Sequence, residues 1–205
     1  MILISIEGNI GSGKSTFVEY LRKNLCDEIC FLDEPVDIWN TIVDKDGKNI
    51  IENYYKDQKR YAFSFQMMAY ISRLSLLKRA IESNSYKYII TERSLNTDKE
   101  VFCKMLYDDN LIEKIEYDIY IKWFDEFKPN IEIQYVYLRC DPFIAEERVL
   151  KRSRKGEIIS LDYLKKCHQY HEQWLLKENT IYIDSNLNKN IGYPLWLIEV
   201  QKLII

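Results

Sequence analysis

The stretch Gly8-Asn9-Ile10-Gly11-Ser12-Gly13-Lys14-Ser15-Thr16 constrains this chain more than any other feature. It follows an apolar run, Ile2 to Ile6, that ends at Glu7, and it opens into Lys14 to Leu25, a segment with helical periodicity. The pattern GxxxxGK[ST] between a strand and a helix makes a phosphate cradle. Its glycines let backbone N–H groups curl around a polyphosphate, the helix points its positive dipole at it, and Lys14 adds a mobile charge. Ser15 then reaches a magnesium ion. The cradle does not identify what receives the phosphoryl group, because kinases, switch GTPases and ATP-driven machines share it.

The rest of the chain supplies a setting for such a loop. Further short apolar runs, Ile29 to Leu32, Tyr88 to Thr91, Ile133 to Leu138 and Ile181 to Ile183, read as buried strands. They alternate with helical patterns over Arg60 to Ile81, Asp98 to Tyr107, Leu111 to Phe127, Pro142 to Lys151, Leu161 to Leu176 and Leu195 to Leu203. That alternation predicts an α/β fold with a parallel sheet of about five strands and helices on both faces. With 205 residues, no internal repeat and no low-complexity linker, residues 1–205 read as a single domain. The polar stretch Asp44 to Asn49 reads as a surface turn.

Composition narrows the partners. A net charge of −3, from 29 basic and 32 acidic residues, argues against a protein that wraps nucleic acid. The N-terminus lacks a basic region before its apolar run, and no stretch approaches the length of a membrane span, so neither a signal peptide nor a membrane partner is expected. The five cysteines form an odd set with one C-x3-C, which reads as reduced thiols in a cytoplasmic protein.

Charged residues gather where the strands end. Leu32-Asp33-Glu34-Pro35 places carboxylates at the carboxyl edge of the sheet, where open α/β sheets bind ligands, and Pro35 pushes Glu34 into an extended exit. A carboxylate there can accept a proton from an attacking hydroxyl, although an exposed loop acid gives the same letters. Thr91-Glu92-Arg93-Ser94 ends the third strand with Asp98 beyond it. This acid and arginine suit magnesium and a transferring phosphate, or a structural ion pair. Arg148, Lys151, Arg152, Arg154 and Lys155 crowd the end of one helix, either as a lid over a triphosphate or as a solvated basic end. Trp39, Tyr54, Tyr55, Phe63, Phe65 and Phe102 offer stacking faces, and Gln66 and Arg73 lie seven apart on one helix face.

Taken in order, Glu7 to Thr16, Glu34-Pro35-Val36 with Trp39, Phe63-Ser64-Phe65-Gln66, Glu92-Arg93-Ser94, Arg148 to Arg154 and His171-Glu172-Gln173-Trp174-Leu175 resemble the deoxyribonucleoside kinases of the deoxycytidine, deoxyguanosine and insect multisubstrate type. The resemblance runs from Ile2 to about Asp184. It implies a P-loop kinase fold with an arginine-rich lid, and ATP- and magnesium-dependent phosphorylation of a deoxynucleoside 5′-hydroxyl. It makes Glu34 the base at that hydroxyl, Arg93 a partner of the hydroxyl and phosphates, Glu92 a magnesium-side acid, and Arg148, Arg152 and Arg154 the lid. It puts Tyr55 and Glu157 at the 3′-hydroxyl, Gln66 at the base edge, Phe65 and Phe102 on the ring and Trp39 along the pocket.

In the family, Arg and Asp at the positions of Arg73 and Asp98 accompany deoxycytidine and purine substrates, which predicts a preference over thymidine. The pair offers polar partners to a cytosine or purine edge and crowds the place of a thymine methyl. Relatives are homodimers packed through helices, and Leu111 to Phe127 is the matching face. The lid loop Lys155 to Ser160 is about one residue shorter than in many relatives, with Ser160 where a proline is common. The stretch after Asp184 is weakly similar, and the adenine contacts would fall near Ser185 to Asn188.

Three other readings compete. Cys167, His168, His171 and Glu172 invite a metal site but lack a second ligand pair, so a structural helix is expected. A thymidylate-type kinase would want further cations for its phosphorylated acceptor and a different third-strand motif. A switch GTPase finds a superficial DxxG in Asp44 to Gly47, in a polar turn, and no NKxD, since Asn188 to Ile191 lacks the acid.

Overall fold

The computed structural model describes residues 1–152, 159–187 and 189–204. Five strands, β1 Ile2–Gly8, β2 Ile29–Leu32, β3 Tyr88–Glu92, β4 Glu132–Arg139 and β5 Thr180–Asp184, form one parallel sheet in the order β2-β3-β1-β4-β5. The helices are α1 Lys14–Asn24, α2 Val36–Thr41, α3 Ile50–Lys56, α4 Gln58–Ser83, α5 Leu95–Thr97, α6 Lys104–Asp108, α7 Lys114–Phe127, α8 Pro142–Arg152, α9 Leu161–Leu175 and α10 Lys189–Gln201. A π-helical stretch, Asp98–Cys103, joins α5 to α6.

Period-two alternation divides the strands between two cores. Leu3 and Ile89 face Tyr70, Leu74 and Leu77 of α4 and Tyr120 and Phe124 of α7. Ile4, Ile6, Ile90, Val136 and Leu138 face Phe17, Val18 and Leu21 of α1 and Trp196 and Val200 of α10. With both faces covered, the strands can be almost wholly apolar, which is why they were legible as uninterrupted runs. The strand order reverses beside β1, so the carboxyl ends of β1, β2 and β3 open on the crevice where such sheets bind ligands.

Several boundaries depart from the periodic reading. Helices α2 and α3 were not expected, and α3 is nucleated by a capping box: the Glu52 N–H donates to Asn49 Oδ1 at 2.9 Å and the Asn49 N–H to Glu52 Oε2 at 3.1 Å. The helix expected over Asp98 to Tyr107 is split by the π-helical stretch, whose wider turn leaves both Asp98 and Val101 buried. Leu111 lies ahead of α7, which starts at Lys114, and α10 begins at Lys189 with Pro194 inside it. The polar turn is as expected: the Asp44 N–H bonds Lys48 O at 2.9 Å and Asp44 Oδ1 accepts from the Asp46 N–H at 2.9 Å. Asp44 is therefore consumed by local bonding, which removes the residue a DxxG switch would need.

Candidate active site

The cradle is built by close packing. Gly11 has φ +80°, and a Cβ there would meet the backbone oxygen of Ala145 at 2.3 Å. Gly8, with φ +146°, would place a Cβ 2.6 Å from Ser12 Oγ and 2.7 Å from Leu138 O. Only glycine fits either place. Asn9 pins the loop to α9, its Nδ2 donating to Leu164 O at 2.8 Å, and Ile10 packs with Cys140, Ala145 and Leu164. Gly13 caps α1 in the left-handed region, with Ser15 and Thr16 in the first turn beyond it. Ser12 O accepts from Arg148 Nη1 at 3.4 Å and from Ser185 Oγ at 3.0 Å, and Arg148 Nη2 donates to Ser185 O at 3.0 Å.

Lys14 is buried and donates from Nζ to Asn9 O at 2.7 Å. Burial and the neighbouring Arg93 guanidinium lower its pKa to about 7, against the opposing pull of Glu92, Glu34 and Glu7. Ser15 Oγ donates to Glu92 Oε1 at 3.0 Å. A hydroxyl and a carboxylate side by side form an oxygen donor set that suits a hard cation also bound by phosphates.

Across the cavity stands Glu34. Its Oε1 accepts from Arg93 Nη1 at 2.6 Å and from Arg73 Nη2 at 2.7 Å. Burial alone would lift this carboxyl; Arg93, Arg73 and Lys14 outweigh it and hold the group well below the usual carboxylate range. Arg73 also donates from Nη1 to Glu92 O at 3.0 Å and sets Nε 3.2 Å from Asp98 Oδ2. Burial raises the Asp98 carboxyl to about 6, although Arg73 and Arg93 pull it down. Arg93 holds φ 65°, a left-handed conformation that costs a non-glycine residue about 1–2 kcal/mol, and its guanidinium lies 5.2 Å from the Phe102 ring centroid.

One cavity of about 1050 Å³ connects these groups, from Gly11 to Thr16 and Arg148 past Glu34, Glu92 and Arg93 to Trp39, Tyr55, Phe65, Gln66, Arg73, Asp98 and Phe102. Trp39 is fixed by a bond from Nε1 to Ser72 Oγ at 2.9 Å and meets Phe65 edge-on at 5.4 Å. Gln66 is 2% exposed, and its Oε1 has no partner among the described residues. A buried, unpaired amide oxygen facing a cavity is a group kept for a ligand. Arg152 also lines the cavity, whereas Arg154 and Glu157 lie outside the described residues, as does the loop Lys155 to Ile158.

Sequence reasoning passed over Tyr163 and gave Tyr54 no more than a stacking face. Both line the cavity with their hydroxyls 3.1 Å apart, and aromatic residues at helical spacing do not announce a polar pairing. Glu7 enters the sequence reading as the end of a strand and the first residue of the matching motif, without a role of its own; an acid closing an otherwise apolar run is the available signal. The cluster on α9 is structural: His171 Nδ1 is 2.7 Å from Cys167 O, Cys167 Sγ packs 3.9 Å from Met105 Sδ, and Glu172 pairs with Arg139 at 3.0 Å.

A polyphosphate cradle that shares one cavity with an aromatic chamber of nucleoside size is the layout of a P-loop kinase acting on a small molecule. Residues 4–202 match the family model described as deoxynucleoside kinase. A probable deoxycytidine kinase of Fowlpox virus is 37% identical, over 86% of this chain and 72% of that protein. Human deoxycytidine kinase is 34% identical over 97% and 84%, and the mitochondrial deoxyguanosine kinase of Xenopus laevis 32% identical over 97% and 81%. The chain belongs to the deoxynucleoside kinase family. It is an enzyme with the P-loop kinase fold that phosphorylates deoxynucleosides with ATP as donor.

Proposed function

We propose that this kinase prefers deoxycytidine and purine deoxynucleosides to thymidine, and that Glu34 receives the proton of the 5′-hydroxyl as the oxygen attacks the γ-phosphorus of ATP. The observation that carries this reading is the placing of Glu34 between Arg93 and Arg73, within the cavity that also holds Lys14 and the glycine loop. The new bond joins the 5′-oxygen to phosphorus, the bond to the ADP oxygen breaks, and the proton passes to the carboxylate. Glu34 is a weak base because two guanidiniums stabilise its charge. In a loose transition state the attacking oxygen gives up its proton late, so a carboxylate that orients the hydroxyl matters more than a strong base. Lys14, Arg93, Arg148 and Arg152 take up charge on the phosphate oxygens. Ser15 and Glu92 would hold magnesium, which would supply neutralisation of the phosphate charge.

Trp39, Phe65 and Phe102 flank the base and Tyr55 faces the sugar. Arg73 donates and Asp98 accepts, a pairing that suits a ring nitrogen beside an exocyclic amine, as cytosine and adenine present. Thymine offers a carbonyl and an N–H there, as guanine does, and alone adds a methyl group, so the discrimination between guanine and thymine rests on the methyl. A methyl or one mismatched polar contact is worth about 1–3 kcal/mol, so the expected discrimination is about 10- to 200-fold in kcat/KM.

The enzyme acts as a homodimer in this reading. Support comes from Ile115, Ile119, Trp123 and Phe127 on α7 and Ile71 on α4, all exposed and too apolar for a helix face in water. A cytoplasmic location is supported by five free cysteines, of which Cys26 is exposed.

The test is turnover of deoxycytidine, deoxyadenosine, deoxyguanosine and thymidine side by side, with their monophosphates as controls. Thymidine preference would discard the Arg73 and Asp98 argument. Activity confined to monophosphates would overturn the acceptor site. Glu34→Gln is expected to bind nucleoside and lose at least about a hundredfold in kcat.

A further inference from the structure

Glu34, Glu92 and Asp98 line the cavity, and a further carboxylate, Glu7, lies buried outside its lining. Glu34 and Asp98 face arginines and Glu92 faces the Ser15 hydroxyl, all within the roles already described. Glu7 is engaged differently. It is 0% exposed, and its Oε1 accepts from the Ser94 N–H at 3.0 Å, Ser94 Oγ at 2.7 Å and Ser5 Oγ at 2.7 Å, while its Oε2 accepts from Thr97 Oγ1. Three of those four donors belong to the turn that follows Arg93.

We propose that Glu7 is a positioning residue for phosphoryl transfer: its carboxylate locks the turn after β3 so that Arg93 reaches Glu34, and it ties that turn to the start of the phosphate cradle. The Arg93 N–H is fixed to Ile6 O at 3.1 Å, and the next N–H along the chain, that of Ser94, is fixed to Glu7. Caught between two anchors on adjacent residues of β1, Arg93 reverses direction within one residue, which is the source of its φ of 65°. A left-handed arginine persists only where its surroundings over-determine it. The reversal sends the guanidinium into the cavity, 2.6 Å from Glu34. Gly8, directly after Glu7, begins the cradle, so one side chain registers the phosphate loop against the arginine that meets the phosphate's acceptor.

Glutamine at this position keeps the volume but turns an N–H₂ toward a site built from donors. The Thr97 hydroxyl must then turn from donor to acceptor, and the bonds to Ser94 and Ser5 lose the carboxylate's charge, so the hold on the turn weakens.

The inference rests on the roles given to Glu34 and Arg93, so the experiment measures Glu7→Gln, Arg93→Lys and the double variant together. Nucleoside binding is read separately by titration calorimetry. Glu7→Gln is expected to lower kcat by about 10- to 100-fold, the size of effect that follows small misplacement, with KM for nucleoside and ATP within about threefold. The double variant should be no worse than Arg93→Lys by more than about twofold, because both act through one guanidinium. Wild-type kcat in Glu7→Gln, or fully multiplicative losses, would overturn the proposal while leaving the acceptor site intact. Wild-type kcat in Arg93→Lys would refute the role of Arg93, and this proposal with it. Should Glu7→Gln fail to fold, Thr97→Val and Thr97→Ser carry the test: valine should lose turnover, serine, which keeps the donor, should restore it, and equal behaviour of the two counts against the idea.

Discussion

ATP binding should draw a proton from solution, and the amount follows from the burial of Lys14. With a pKa of about 7 in the free protein, the amine is about nine-tenths neutral at pH 8, half neutral at pH 7 and one-tenth neutral at pH 6. A triphosphate beside Nζ raises that pKa by about 1–3 units, as opposite charges at contact do, which restores the ammonium. Uptake should therefore be about 0.4–0.9 proton per ATP at pH 8 and about 0.1 at pH 6. Titration calorimetry at pH 8 without nucleoside, in buffers of small and large ionisation enthalpy, reads this number as a slope, and at that pH the nucleotide's own phosphates are already ionised. Lys14→Arg, whose guanidinium does not titrate, should bind with no uptake. The sign carries over to stability. The folded protein holds its lysine below the unfolded value of 10.5, so the cost of burying the ammonium is fully present below pH 7 and is relieved as pH rises from about 7 toward 10.5. Uptake under about 0.2 proton at pH 8, or equal uptake in Lys14→Arg, would refute this account of Lys14.

Arg73→Met strands the Asp98 carboxylate in a buried site and should cost about 3–5 kcal/mol, or about 10 °C in Tm; adding Asp98→Asn should recover at least half of the shift in a calorimetric melt, and a double variant as unstable as the single one would contradict the pairing. Asp98 has a folded pKa of about 6, above its unfolded value, so its contribution to stability falls as pH rises from about 4 to about 6; the difference between wild type and Asp98→Asn in denaturant melts should show that slope and no slope above pH 7. Gly11→Ala drives a Cβ to 2.3 Å from Ala145 O and should abolish ATP binding while nucleoside still binds in titration calorimetry. Ile119→Glu with Trp123→Glu should yield monomers in analytical ultracentrifugation, since both side chains are more than two-fifths exposed on α7.

The sheet and cradle were legible because their constraints are local. Buried parallel strands must be apolar, and a backbone that curls around phosphate needs Gly8, Gly11 and Gly13 at fixed spacing. Helices α2 and α3 escaped because they are short and lie among turn residues, although the capping pair Asn49 and Glu52 had marked the start of α3. The π-helical stretch could not be read, since its period differs from 3.6, yet it is what buries Asp98 against Arg73. Side-chain networks were the least legible part. That Glu34 meets both arginines depends on three separate segments converging, and nothing in the spacing of Glu34, Arg73 and Arg93 foretells a distance of 2.6 Å.

An enzyme that binds a triphosphate has reason to be strongly cationic inside, yet here buried Lys14, Arg73 and Arg93 are matched by Glu7, Glu34, Glu92 and Asp98. Bare guanidiniums as buried as Arg73 and Arg93 would cost several kcal/mol each by desolvation, more than a domain of ordinary stability can carry. The carboxylates offset that cost, and in the proposed reading they stand where the substrates need partners. Arriving groups then exchange for contacts already made: a hydroxyl beside Glu34, a cation between Ser15 and Glu92, a base edge between Gln66, Arg73 and Asp98. Because Arg73 touches both Asp98 and Glu34, the residue proposed to meet the base also sets the charge on the carboxylate proposed to meet the reacting oxygen. If Arg73 reads the base as proposed, base recognition and phosphoryl transfer share a side chain, and Arg73→Met should change the ranking of nucleosides and kcat together.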